Sequence, residues 1–247
     1  MDPRIEVINK RIRDVKKMIA VSGGKGGIGK SSVASLLALT LSESGKRVGL
    51  LDLDFCGPST HVILGIRDVY PKEEKGVIPP MVYNMKYMSI IFYSGDHPSP
   101  LRGIDLSNAI IELLAITRWG RLDFLIIDMP PGIGDATLDT IRFIKRVEFI
   151  IVTTSSKLAL ETVKKVLQMQ RELVVPTIGV VENMKNTDSS YVEEQVKAFD
   201  VPFLGSIHFD NDFENVLGDV RKLSKTRFAG DMKKIVTNTP AFDTESV

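Results

Sequence analysis

Cysteine is almost absent from this chain: Cys56 is the single thiol among 247 residues. One thiol excludes an intramolecular disulfide, a C-x-x-C motif and any four-thiolate metal site built within one chain. Histidine is scarce as well. His61, His97 and His208 are scattered without metal-ligand spacing and read as structural or surface residues. An excess of charge of one sign is also missing: 32 Lys and Arg face 31 Asp and Glu, for a net charge of +1. That balance offers no global attraction for nucleic acid or an acidic membrane, and no stable binding to either is expected. No apolar run approaches the roughly 18 residues needed to span a bilayer. The start Met1-Asp2-Pro3-Arg4 lacks a secretory apolar region, so a cytoplasmic protein is the expectation. No Gly/Ser-rich or Pro-rich linker divides the chain, which is therefore read as one domain over residues 1–247, with 1–17 as an N-terminal extension and 240–247 as a short polar tail.

What is present is concentrated near the start. Residues Gly24, Lys25, Gly26, Gly27, Ile28, Gly29, Lys30 and Ser31 satisfy the pattern G-x-x-x-x-G-K-[ST], with an additional lysine at Lys25. The apolar run Met18 to Val21 precedes this loop. Ser32 to Ser44 follows it, with Val33, Leu36, Leu37, Thr40 and Leu41 at helical spacing. Strand, loop and helix in that order make a phosphate cradle. Glycines let successive backbone N–H groups turn inward, and the helix N-terminus adds its positive dipole end. Lys30 is placed to reach the outer phosphates, and the Ser31 hydroxyl to complete a Mg2+ shell.

Six more strands are expected at Val48 to Leu53, Tyr87 to Tyr93, Phe124 to Ile127, Phe149 to Val152, Ile178 to Val181 and Phe203 to Ile207. Helical periodicity separates many of them, at Leu106 to Thr117, Thr137 to Lys145, Leu158 to Leu173 and Ser189 to Phe199. Alternation of this kind predicts an α/β fold, a mainly parallel sheet with helices on both faces, as in P-loop NTPases, and a ligand at the carboxyl ends of the strands. The stretch Asp68 to Pro80 is irregular and reads as an excursion from the sheet. Ile5, Ile8, Ile12 and Val15 form one helical stripe near the N-terminus, read as a helix packed on the domain rather than a membrane or nucleic-acid anchor. Phe228, Met232, Ile235 and Val236 suggest a final helix.

Carboxylates gather where strands should end. Asp52 and Asp54 alternate at the close of the second strand and so face the same side, where one can hold Mg2+ through water and another can orient an attacking water. The strand Phe124 to Ile127 delivers Asp128 to the same sheet edge, as expected of a Walker B acid. The turn that follows, Met129 to Asp135, holds two prolines and two glycines and is a candidate switch loop.

Together, the phosphate loop, Asp52-Leu53-Asp54-Phe55-Cys56-Gly57-Pro58-Ser59 and Asp128-Met129-Pro130-Pro131-Gly132-Ile133-Gly134-Asp135 resemble the Mrp/Nbp35 branch of the SIMIBI P-loop ATPases, relatives of MinD, ParA and the nitrogenase iron protein. The likeness continues through Arg102-Gly103, Trp119-Gly120, Leu158-Ala159-Leu160 and Gly179-Val180-Val181-Glu182-Asn183-Met184, over roughly residues 15 to 210. The resemblance implies a Mg2+-dependent, slow ATPase that forms a homodimer with ATP sandwiched at the interface. On this reading Lys25 reaches the partner's nucleotide and acts with Lys30 and Asp54 in catalysis. Ser31, Asp52 and Asp128 lie on the Mg2+ side, Ser32 joins the loop in holding the nucleotide, and Asn183 reads adenine. No N-K-x-D guanine signature is visible, in agreement with ATP.

Many members of that family carry an iron-sulfur cluster on a C-x-x-C pair a few residues after the Glu-Asn-Met segment. This chain has Ser189 and Val192 in that region and no second cysteine, so its own cluster binding is doubtful. Cys56 itself is read as a small buried side chain. The functional expectation is an ATPase associated with iron-sulfur assembly or transfer, serving an apoprotein client or pairing with a cysteine-bearing paralogue. The alternative is a MinD/ParA-like positioning or regulatory switch.

Overall fold

In the computed structural model, residues 2–94, 103–132 and 134–243 are described. His97, Arg102, Ile133 and the last four residues of the expected tail lie outside them. Long aliphatic runs form the centre of the sheet because they can be buried on both faces: every residue of β2 (Val48–Asp52) and β7 (Leu122–Asp128) is buried. Around them lie β1 (Val15–Ser22), β8 (Val147–Thr154), β9 (Thr177–Lys185) and β10 (Phe203–His208). On the other side, β6 (Met85–Ser89) and the short β5 (Met81–Val82) complete an eight-stranded sheet in the order β10-β9-β8-β1-β7-β2-β6-β5. All its pairs are parallel except β5 with β6.

Two apolar layers cover the sheet. Helices α1 (Arg4–Ile12), α5 (Ile104–Ile116), α6 (Asp135–Phe143), α7 (Lys157–Glu172) and α8 (Tyr191–Lys197) cover the face that carries Met18, Leu51 and Ile127. The face that carries Ile19, Leu50 and Ile126 is covered by α2 (Lys30–Glu43), α9 (Val220–Leu223) and α10 (Arg227–Asn238). Helix α3 (Thr60–Leu64) follows β2, and the single turn α4 (Ile91–Ser94) follows β6. The expected α/β architecture is therefore present.

Four local expectations change. The strand expected to reach Tyr93 ends at Ser89, whose Oγ accepts the Ile91 N–H at 3.4 Å and starts a helical turn. The N-terminal stripe stops at Ile12, because the Asp14 carbonyl accepts the Leu122 N–H and Val15 enters the sheet instead. The excursion holds an antiparallel hairpin, β3 (Lys72–Glu73) with β4 (Val77–Ile78). Lys75 and Gly76 turn it through positive φ, and Arg11 and Arg118 bond its Lys75 and Glu74 carbonyls. Last, Pro240–Phe242 is a 3-10 turn rather than a polar tail: Phe242 is 4% exposed and its ring centroid lies 6.2 Å from that of Phe124.

Candidate functional site

The order of the sheet decides where the site forms. Strand β1 lies between β7 and β8, and the chain leaves its carboxyl end through Gly23–Gly29 into α2. This is a doubly wound sheet's crevice, where loops from neighbouring strands part in opposite directions. Gly27 and Gly29 adopt φ of +75° and +79°, the left-handed conformation that favours glycine. A Cβ at Gly24 would collide with Thr162, one at Gly29 with the Asn183 amide, and one at Gly26 would meet Pro131 at 3.8 Å. The loop is thus threaded between α7, the end of β9 and the turn after β7.

Register places the acids opposite this loop. Asp52 and Asp128 are direct partners on the adjacent parallel strands β2 and β7, so their side chains project from the same face, the one α2 covers. Both are fully buried. Neither oxygen of Asp128 has a hydrogen-bond partner, and burial, followed by the like charge of Asp52, holds its carboxyl well above the usual carboxylate range. Ser31 and Lys30 oppose that rise. The carboxyl of Asp52 is pushed up to about 6, mainly by burial, against donors from Thr60 and Asp54. Two buried acids beside a hydroxyl form a hard oxygen set suited to Mg2+, an ion that keeps waters and phosphate oxygens in its shell. No three His, Cys, Asp or Glu side chains among the described residues form a cage of their own.

Lys30 is buried between these acids and the loop, and its amine donates to the Lys25 carbonyl at 3.4 Å. Burial lowers its pKa, while Asp128 and Asp54 raise it. Lys25 itself is half-buried, and its ammonium makes no ion pair among the described residues. Asp54 closes a turn, its Oδ1 accepting the N–H groups of Cys56 at 3.2 Å and Gly57 at 3.0 Å. That turn reverses one expectation: Cys56 is exposed, not buried, because Phe55 takes the inward position beside it.

Asn183 is 1% exposed, and its Nδ2 donates to the Ile28 carbonyl at 2.9 Å, tying the end of β9 to the phosphate loop. Its Oδ1 has no hydrogen-bond partner. Beside it lies a cavity of about 140 Å3 lined by Ser32, Asn183, Met184, His208 and Phe209, among others. The structure therefore brings together the phosphate loop, Ser32, Asp52, Asp54, Asp128 and Asn183. Ser189 is exposed in the loop after β9, and Val192 is a core residue of α8.

Sequence reasoning missed two groups. Thr60 and Tyr87 bond in series to Asp52, with Thr60 Oγ1 to Asp52 Oδ2 at 2.7 Å and to the Tyr87 hydroxyl at 2.9 Å. A threonine opening a helix and a tyrosine in an apolar strand gave no separate signal. His208 and Phe209 could have been found from their place at the carboxyl end of the last strand.

Residues 14–244 match the family model described as "ParA: NUBPL iron-transfer P-loop NTPase". The chain is 40% identical over 217 residues to an iron-sulfur cluster carrier protein of Aquifex aeolicus, covering 81% of this chain and 60% of that protein. It is 42% identical over 177 residues to one of Pseudomonas fragi, covering 70% and 62%. The chain thus spans about 60% of the length of these relatives. Among solved structures, a nucleotide-binding protein of Archaeoglobus fulgidus in complex with ADP is similar with TM-score 0.76 and 31% identity, over 90% of this chain and 93% of that one. MinD of Pyrococcus horikoshii complexed with Mg-ADP has the same fold, with TM-score 0.68 and 20% identity over 93% and 97%.

Proposed function

Because the chain belongs to the ParA/NUBPL family of iron-transfer P-loop NTPases, we propose that it binds ATP with Mg2+ and hydrolyses it slowly in the service of iron-sulfur cluster assembly or transfer. One observation carries this reading: the paired buried acids Asp52 and Asp128 stand in register on the face that receives α2 and its phosphate loop. The Ser31 hydroxyl and the Asp128 carboxylate would hold Mg2+, with Asp52 on the same side of the site. Bound Mg2+ neutralises charge on phosphate oxygens. The loop amides from Gly24 to Ser32 bind the phosphates, and Lys30 sets a cation against them. Asp54 orients water for in-line attack, and Asn183 reads adenine from the cavity it shares with Phe209.

Two copies sandwich the nucleotides, and Lys25 reaches across to the partner's phosphates. In support, Leu158 at the start of α7 is 68% exposed and Leu138 in α6 45%, on helices that leave the sheet edge where the phosphate loop lies. A cation held against the transferred phosphoryl group supplies a rate factor of roughly a thousand. The cluster is cargo, and this chain's thiol set does not fit it: a homodimer offers only two copies of Cys56. The thiolates come instead from an apoprotein client or a cysteine-bearing paralogue.

Nucleotide binding by calorimetry and phosphate release with and without Mg2+ test the ATPase. Anaerobic reconstitution with iron and sulfide tests the cargo reading. No stoichiometric cluster on either wild type or Cys56→Ser is expected. Stoichiometric cluster on the wild type, lost in Cys56→Ser, would refute it.

A further inference from the structure

The loop that carries Asp54 is closed by a single carboxylate. Asp52 Oδ1 accepts the Asp54 N–H at 3.0 Å, and Asp52 Oδ2 accepts both the Thr60 hydroxyl at 2.7 Å and the Thr60 N–H at 3.3 Å. Both ends of the segment 53–59 are thereby fastened to one side chain. The direction of the next bond follows from chemistry. Thr60 Oγ1 has one hydrogen, which it gives to the Asp52 carboxylate, so it must accept from the Tyr87 hydroxyl. Thr60 and Tyr87 are both fully buried, and Tyr87 stands on β6, the strand paired with β2. The chain of donors therefore runs from the neighbouring strand through α3 to the acid, and no solvent competes for it.

We propose that Thr60 and Tyr87 are positioning residues: their hydroxyls orient Asp52 as the clasp of loop 53–59 and so fix Asp54 for its work on the nucleotide. An Asp52 free of donors would carry the full cost of burial, whereas here three N–H and O–H groups face it. The proposal rests on the ATPase reading for the role of Asp54, but not for the clasp itself.

The test separates the two. Hydrogen exchange of the amides of Asp54, Cys56, Gly57 and Thr60 is measured without nucleotide in wild type, Thr60→Val, Thr60→Ser and Tyr87→Phe. Exchange elsewhere, in β8 and α7, serves as the check on folding. Faster exchange in the loop of Thr60→Val and Tyr87→Phe is expected, with Thr60→Ser restoring wild-type protection. In ATP hydrolysis, Thr60→Val should lower kcat by roughly tenfold or more, the scale seen when an outer-shell partner of a site is removed. Its KM should change less, and Thr60→Ser should recover kcat. Unchanged loop exchange in both variants, or faster exchange with unchanged kcat, would overturn the proposal. If the wild type hydrolyses no nucleotide, the ATPase reading fails and loop exchange alone decides the clasp.

Discussion

Replacing Asp128 by Asn should make the nucleotide-free protein more stable at alkaline pH, although it removes an acid from the centre of the site. The direction follows from the proton balance. An acid whose folded pKa lies above its unfolded value binds protons more tightly when folded, so the folded state loses stability as pH rises between the two values. For Asp52 that window runs from 3.8 to about 6. Asp128 is shifted in the same direction, by burial and by Asp52, and Ser31 and Lys30 offset that rise only in part. For Asp52 the rise from 3.8 to about 6 costs the folded state on the order of 3 kcal/mol on ionisation. Asn at position 128 keeps the shape, removes the cost of ionising a second buried acid and withdraws the like charge from Asp52. Each kcal/mol gained raises the Tm of a domain of this length by roughly 2–4 °C. Differential scanning calorimetry in Mg2+-free and nucleotide-free buffer should show the gain at pH 8 and a smaller one at pH 5. With Mg2+ and ATP added the order should reverse, because only the wild type gains the ligand's stabilisation. An Asp128→Asn variant that melts at or below the wild type at pH 8 would refute the argument.

Three further outcomes are expected. Lys25→Ala should keep ATP binding in calorimetry but lose most turnover; a variant that hydrolyses at the wild-type rate as a monomer would dismiss the trans-acting lysine. Gly29→Ala should abolish nucleotide binding, because the new Cβ meets the Asn183 amide at a φ of +79°; retained affinity in a fluorescent-nucleotide titration would count against the loop geometry. Phe242→Ala should destabilise the fold by about 3 kcal/mol through lost packing on Phe124, read as a lower urea midpoint at unchanged slope, whereas a dispensable tail would show no change.

Much of this molecule was legible because its signals are local or periodic. The glycine spacing from Gly24 to Gly29 names the loop, and the apolar runs before Asp52 and Asp128 place both acids at strand ends. What the chain alone could not show is register. That Asp52 stands directly opposite Asp128, and not one residue away, is a property of pairing between strands separated by the whole of residues 53–121. The same limit hid Thr60 and Tyr87, whose hydroxyls matter only once α3 folds back over β2. The exposure of Cys56 departs from expectation for a related reason. A lone thiol is usually buried, but the Asp54 turn gives the inward place to Phe55.

The position of β7 between β1 and β2 has a consequence during synthesis. The phosphate loop leaves the ribosome before both strands that flank β1, which come from residues 122–128 and 147–154. Until then the loop has neither its opposing Asp128 nor sheet on either side, and the nascent chain can hold β1 only through non-local closure. Asn183, which braces the Ile28 carbonyl, arrives later still. A chain arrested near residue 120 has therefore exposed its glycine loop without acquiring a nucleotide site, which is complete only after β7 has entered between β1 and β2 and β8 and β9 have followed.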